Sequence, residues 1–578
     1  MRTKVGIITS GGSIPQLGTG HIARSLNLAH TLEAQFGIEV VFITSTPEIL
    51  QKKNKKLRIV YYNEKANNPN TFLDKIEQEK IDIIIYDTYK ISETLVNLIS
   101  NLGLVSIALD ISQKKLSKIM TFNVNSLIKK PFAELSGYSY LPLNKKLDMY
   151  SENHIKKVHI KKIFVSFGGF DANHVTYKFI KSVEQLQSSK FYDFKFNVVV
   201  GASFDKLNEI KKITANLHFI RIFVEPVNYY EMLCSSDAAI TSGGITMFES
   251  IYLGLPTFVF SQYSHQKLNA KILSKQKAII YMGSGRKRNL KRNFLRTFKL
   301  MLSLETINEL RIKSRISIPM NGDLQLARTV LIFELLDWDS NFFKIRIARI
   351  NSVVFNEEIY HFIQKRCRDL QIKVLYYISN KDDTASNLYA KSLGFDFIDY
   401  KLTYSRNLSH LLEQDHMREF TCTIASENDL GSLLKIVKDS FGQSRFFQDS
   451  RFDQSLSQKY YNDWIEKSIT GQFDDLVLIV KRDNEIAGLV TCRINSRTLG
   501  NIGLICSSKK FRNTGVGAEL LSSAVKWFNS QGILLVEIVT QGKNFNAQKL
   551  LEKEGFALKS VECWYHKWYE NSSKKDLT

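Results

Sequence analysis

The chain has only six cysteines, Cys234, Cys367, Cys422, Cys492, Cys506 and Cys563, and no two form a Cys-x-x-Cys pair. That spacing argues against a disulfide framework and against a structural zinc site, so no metal is expected. No apolar run reaches the roughly 18 residues that a membrane-spanning helix needs. The first residues lack a charged n-region, an apolar h-region and a cleavage site, and they enter a strand at Val5–Ile8. The expected compartment is therefore the cytoplasm. No helix-turn-helix, zinc-finger or RNP motif occurs, so nucleic-acid binding would rest on charge alone and is not expected.

What is present is an ordinary globular composition. Of 578 residues, 44% are apolar and 24% charged, enough to bury several cores. At roughly 100–200 residues per domain, three to five domains are expected. Lysine and arginine number 79 against 57 acidic residues, a net charge of +22. The basic residues are spread along the whole length. They suit solvated surfaces or anionic small substrates.

Residues 1–145 alternate short apolar strands (Val5–Ile8, Val40–Ile43, Ile81–Tyr86, Val105–Leu109) with amphipathic helices (His21–Gln35, Thr71–Gln78). The pattern pauses over Tyr138–His159 and restarts across 160–330, with strands at Lys162–Phe167, Phe196–Val200, His218–Ile222, Ala238–Ile240 and Thr257–Phe260. Such alternation predicts two doubly wound parallel α/β domains, with a ligand cleft at the carboxyl ends of their strands. Two more units are expected, over 335–410 and 415–570. They share a weak repeat, in which Asn387–Phe395 echoes Asn546–Phe556 as a helix stopped by glycine and followed by a strand.

In the last unit, strands expected at Gly488–Ile494 and Ile502–Cys506 lead into Lys510-Phe-Arg-Asn-Thr-Gly-Val-Gly517 and the long helix Ala518–Asn529. Arg512, Asn513, Thr514, Gly515, Val516 and Gly517 form a loop suited to a diphosphate. The glycines allow close backbone approach, the helix N-terminus offers free N–H groups, and Arg512 supplies a charge-assisted partner. With Thr540–Phe556 behind it, this segment resembles the GNAT superfamily of N-acetyltransferases over most of 421–569. The resemblance implies acetyl-CoA along the strands near Leu504 and Cys506, with its pyrophosphate on the 512–517 loop and its pantetheine arm held by Asn544. It also implies direct transfer to an amine, with no acyl-enzyme on Cys506. Leu336–Phe343, Phe441–Phe446, Tyr461–Glu466, Gly471–Asp474 and Thr540–Gln541 are similar to the TDP-fucosamine acetyltransferase subgroup, which implies a nucleotide-linked amino-deoxysugar as acceptor. Where many members of the superfamily carry a tyrosine as general acid, this chain has Leu551, which cannot donate a proton. Either another group, such as Tyr565 or water, protonates coenzyme A, or the activity is weakened.

In the first half, Gly18-Thr-Gly-His-Ile-Ala-Arg24 follows a strand and opens a helix. Small residues there admit a diphosphate or sugar, and His21 at the junction can take a proton from water. Gly168 and Gly169 end a strand. Gly243, Gly244 and Thr246 present donors to phosphate, and Glu249 one turn later can accept both ribose hydroxyls. His265 and Gln266 follow the next strand. These residues resemble the UDP-sugar hydrolases of pseudaminic acid synthesis and their spore-coat-polysaccharide relatives, which have the GT-B fold, over about 1–285. The resemblance implies binding by Gly18, Thr19, Gly20, Arg24 and the second-half residues above. It makes His21 the base that activates water at the anomeric carbon of a UDP-sugar. His265 stands where the family often has asparagine, and Gly11–Leu17 are extra residues in the loop. A glycosyltransferase and a non-catalytic nucleotide-sugar module remain open as alternatives for this half.

Overall fold

The computed structural model describes residues 3–569 except 10–19, 63–68, 89–90, 92, 103, 111–118, 125–134, 151–159, 170, 172, 187–193, 203, 286–289, 319–320, 353–354, 409–421, 439 and 496–497. The chain divides into two compact units, Met1–Val330 and Leu331–Thr578.

Apolar runs buried on both faces set the architecture of the first unit. Ile83–Asp87 and Val105–Leu109 are buried throughout, as strands inside a parallel sheet must be. Seven parallel strands form one sheet in the order Arg58–Tyr61, Glu39–Thr44, Lys4–Thr9, Ile83–Asp87, Val105–Leu109, Met120–Asn123, Leu135–Ser136. Six parallel strands form the second, in the order Ile220–Val224, Lys195–Val200, Lys162–Ser166, Ala238–Thr241, Thr257–Ser261, Ile280–Ser284. Both are doubly wound, so the unit is the pair of Rossmann-like sheets expected of a GT-B fold. In each sheet the strand order reverses beside the first strand, and ligands settle at the carboxyl ends of the strands flanking that reversal. A phenylalanine core supports the second sheet: the rings of Phe179 and Phe294 lie 5.2 Å apart and those of Phe179 and Phe196 5.6 Å apart. The helix Gly322–Leu331 then returns to the first sheet's side, where Asp323 accepts a hydrogen bond from Thr31 at 2.6 Å.

The second unit holds one mixed sheet of ten strands. The regions 335–410 and 415–570 interleave in it. Strand Asp396–Asn407 from the former lies between Ala557–Trp568 and Leu535–Gln541 of the latter, antiparallel to both. The sequence repeat thereby becomes a structural one. Helices Thr384–Ser392 and Phe545–Lys553 are each followed by a glycine in the left-handed region (Gly394 and Gly555, both φ +77°), and the two strands that follow pair with each other. Among the described residues, no helix is long and apolar enough to cross a membrane.

Candidate active sites

At the reversal point of the first sheet, helix Gly20–Phe36 brings His21 over the end of strand Ile83–Asp87. His21 Nδ1 lies 2.6 Å from Asp87 Oδ1. Asp87 is fully buried, and its other oxygen accepts from Ser25 Oγ at 2.8 Å and from Arg24 Nε at 3.1 Å. Arg24 also donates to Asp110, at the end of Val105–Leu109. Burial by itself would raise the Asp87 pKa; Arg24 and His21 outweigh it and hold the carboxyl well below the usual carboxylate range. Asp87 is therefore an anion that accepts the Nδ1 proton and leaves Nε2 as the basic nitrogen. The His21 side chain is 25% exposed and reaches solvent. Arg24, expected as a substrate contact, is 1% exposed. Its guanidinium is occupied by two carboxylates, Asp87 and Asp110. Gly20 starts the helix and is exposed, while Gly18 and Thr19 lie outside the described residues.

In the second sheet, Gly168 and Gly244 both face Ser242. A Cβ built on Gly168 would meet Ser242 Oγ at 3.8 Å, and one on Gly244 would meet the same oxygen at 3.7 Å and Gln266 Nε2 at 3.8 Å. At Gly243 an added Cβ would come within 2.8 Å of Gln266 Cβ, so glycine is required for the loop to pack on helix Ser264–Lys275. Gly169 is exposed beside Gly168, and His265 is exposed with its ring stacked 5.8 Å from Tyr263. Gln266 points inward, where its Oε1 accepts from Gln262 N–H at 2.9 Å. Helix Ile245–Tyr252 begins after Gly244 with no side-chain cap, which leaves its first N–H groups to a ligand.

Glu249 is 3% exposed, and its carboxylate accepts from Tyr229 OH at 3.0 Å, with Tyr230 as a second partner. The Tyr229 hydroxyl lies 2.9 Å from Thr246 Oγ1. Burial pushes the Glu249 pKa up to about 7. Thr246, expected as a phosphate donor, and Glu249, expected at the ribose, are thus both tied to Tyr229.

In the ten-stranded sheet, strands Leu499–Ser507 and Leu535–Gln541 run parallel and pair only over Leu499–Ile502 and Leu535–Ile538. Beyond that point they diverge. Opposite Thr491 the first strand carries an extra residue, since Val490 pairs with Ile505 and Cys492 with Ile502. The Leu504 N–H donates to Thr491 Oγ1 at 3.0 Å within this bulge. Among the described residues, no strand pairs with the Gly503–Ser507 edge on the side of the divergence. The Arg512–Gly517 loop follows it and is exposed through Arg512, Asn513, Thr514 and Gly515. Gly515 caps helix Val516–Ser530 at φ +88°, a conformation in which glycine carries no Cβ penalty. Gly517 packs on Leu550. Asn544 Oδ1 caps helix Phe545–Lys553 by accepting from Ala547 N–H at 3.3 Å, leaving its amide NH2 as a donor. Burial pushes the Cys506 thiol up to about 12, so it is protonated and unsuited to nucleophilic attack. Leu551 is buried in the core. Tyr565 is buried on Ala557–Trp568, three strands away from Leu499–Ser507 in the sheet order.

Residues 437–556 match the model of the Acetyltransferase (GNAT) family. This region is a GNAT domain. The chain is also 26% identical over 178 residues to the dTDP-fucosamine acetyltransferase of Escherichia coli, covering 31% of this chain and 74% of that protein. Its N-terminal half is similar to Spore coat polysaccharide biosynthesis protein SpsG of Bacillus subtilis, at 22% identity over 294 residues, or 49% of this chain and 84% of that one. An uncharacterized protein of Methanocaldococcus jannaschii is 30% identical over 286 residues, 46% of this chain. The match spans 57% of that archaeal protein's length.

The structure adds residues to the sites that sequence reasoning had not singled out. Asp87 carried a signal, a carboxylate ending an unbroken apolar strand, which places it at a sheet's carboxyl edge. Tyr229 and Tyr230 carried none, because their partner Glu249 lies about twenty residues away on another helix.

Proposed function

We propose that the chain is a two-activity enzyme of sugar-nucleotide modification. Its GNAT domain moves an acetyl group from acetyl-CoA to the amine of a nucleotide-linked amino-deoxysugar, and its first unit hydrolyses a UDP-sugar to release the acetamido sugar. The acetyl-transfer half is supported by the match over 437–556, the divergence of the two parallel strands and the uncapped helix behind Gly515. The amine nitrogen attacks the thioester carbonyl, the C–S bond breaks, and coenzyme A leaves as the thiol once the thiolate is protonated. The choice of acceptor draws on the acetyltransferase relative, whose name specifies dTDP-fucosamine.

The hydrolytic half rests on one observation, the contact of His21 with Asp87. With Nδ1–H held by Asp87, His21 Nε2 takes a proton from water as the water oxygen attacks the anomeric carbon. The bond to the UDP oxygen breaks, and UDP leaves toward the N–H groups around Gly243 and Gly244. A base at His21 Nε2 serves a water or an acceptor hydroxyl equally, and the choice of water follows the resemblance of Gly18–Arg24 and Thr241–Glu249 to the UDP-sugar hydrolases. Incubation of a UDP-linked acetamido sugar with the full chain and no acceptor tests this: UDP and free sugar are expected. UDP release that appears only when a hydroxyl acceptor is added would replace the hydrolase by a glycosyltransferase.

A further inference from the structure

Two segments similar to the aminosugar acetyltransferases have no role in the cofactor slot, and in the structure they meet. Asp339, from Leu336–Phe343, lies 3.3 Å from Arg445 Nη2, from Phe441–Phe446. The Arg445 guanidinium is boxed by aromatic faces, with its Cζ 4.2 Å from the Trp564 ring centroid, 4.3 Å from Phe446 and 4.7 Å from Tyr376. Trp564 and Tyr376 stand on neighbouring strands, and Asp399, on the next strand, is the direct register partner of Trp564. Asp399 is 4% exposed and Tyr376 fully buried. Asp399 Oδ2, Trp564 Nε1 and Tyr376 OH are all buried, and none has a hydrogen-bond partner among the described residues. A buried polar group left unpaired costs about 1–3 kcal/mol. Tyr376 OH and Trp564 Nε1, whose rings flank the Arg445 guanidinium, and Asp399 Oδ2 on the strand paired with Trp564 mark a place where a polar ligand supplies the missing partners.

Asp399 also links this place to the cofactor side. Its Oδ1 accepts from Tyr400 N–H at 2.7 Å and packs against the Gly542 turn, which leads from strand Leu535–Gln541 to Asn544. The remaining oxygen, Oδ2, is the acceptor. Burial raises the Asp399 pKa, against the opposing pull of the Tyr400 and Gly542 N–H groups and the Lys543 charge.

We infer that the cluster of Asp399, Trp564, Tyr376 and Arg445 is the subsite for the acyl acceptor, in which Asp399 Oδ2 receives the N–H of the amine to be acetylated. Trp564 Nε1 and Tyr376 OH donate to hydroxyl or other oxygen atoms of the same sugar. The inference rests on the acetyl-transfer reading above and names the residues that select its amine. The test uses the full chain, acetyl-CoA and a UDP-linked 4-amino-4-deoxysugar, with coenzyme A release as the readout. Asp399→Asn keeps the Oδ1 acceptor but weakens the amine's partner, and Trp564→Phe keeps a ring beside Arg445 but removes the N–H. Asp399→Asn is expected to raise KM for the aminosugar at least tenfold and Trp564→Phe severalfold, with KM for acetyl-CoA unchanged in both. Wild-type KM for the aminosugar in both variants overturns the subsite, as does an equal rise in KM for acetyl-CoA in Asp399→Asn, which reduces Asp399 to a support of the Gly542 turn. A wild-type chain that binds acetyl-CoA yet acetylates no aminosugar nucleotide refutes the acetyl-transfer reading itself, and the role of Asp399 with it.

Discussion

Three side chains share one charge network at the end of the first sheet, and their exposures separate their roles. His21 reaches solvent, whereas Asp87 and Arg24 do not. His21→Ala should therefore leave the fold intact and slow UDP release by about 10²–10⁴-fold, the usual worth of a general base. Asp87→Ala should behave differently, because it removes one of the two carboxylates that compensate the buried Arg24 cation. Removing one partner of a buried pair costs about 3–5 kcal/mol, so chemical denaturation should show a clearly lower midpoint for this variant and not for His21→Ala. A His21→Ala enzyme as fast as the wild type would end the catalytic assignment. In the GNAT domain the corresponding position is Gly515. Gly515→Asp places a negative charge beside the pyrophosphate and a side chain at φ +88°. Acetyl-CoA affinity measured by calorimetry should fall by at least about tenfold, or 1.4 kcal/mol. His21 and Gly515 are legible in the sequence because loop-to-helix junctions are local patterns. The burial of Arg24 is not, since it depends on two carboxylates contributed by separate strands.

Among the elements, helix Ile245–Tyr252 ties stability to pH through Glu249. Glu249 sits near 7 in the folded chain, above its unfolded value, so the folded state binds more protons than the unfolded state between about pH 4.3 and 7. Its contribution to stability is present below that window and is lost as pH rises through it. Thermal melts across this range should show wild type losing stability relative to Glu249→Gln as pH rises, and a constant difference would contradict the burial argument. The same substitution should weaken UDP binding about tenfold or more, as the loss of a charge-assisted hydrogen bond. The strand–loop–helix elements were largely readable from apolar runs and glycine stops, with ends displaced by a few residues, as at Ile220–Val224. Short strands such as Arg58–Tyr61 and Met120–Asn123 escaped, because four residues carry too little periodicity. The interleaving of Asp396–Asn407 with the GNAT strands also escaped. Its pairing partners lie more than a hundred residues away, and no local pattern encodes that choice.

For the whole molecule, the chain divides at Val330 and Leu331 into two compact units, to which the proposal gives separate chemistries. His21→Ala should leave acetyl transfer at the wild-type rate, and Gly515→Asp should leave hydrolysis of an already acetylated UDP-sugar unchanged. Linking both activities in one chain raises the effective concentration of the acetylated product near the first unit. The most direct test of the account is a single incubation of the full chain with a UDP-linked 4-amino-4-deoxysugar and acetyl-CoA, with products followed by mass spectrometry. The account predicts coenzyme A, UDP and a free acetamido sugar, with no free acetamido sugar when acetyl-CoA is omitted. Coenzyme A release with the acetylated sugar still attached to UDP, in the absence of any added acceptor, would contradict it.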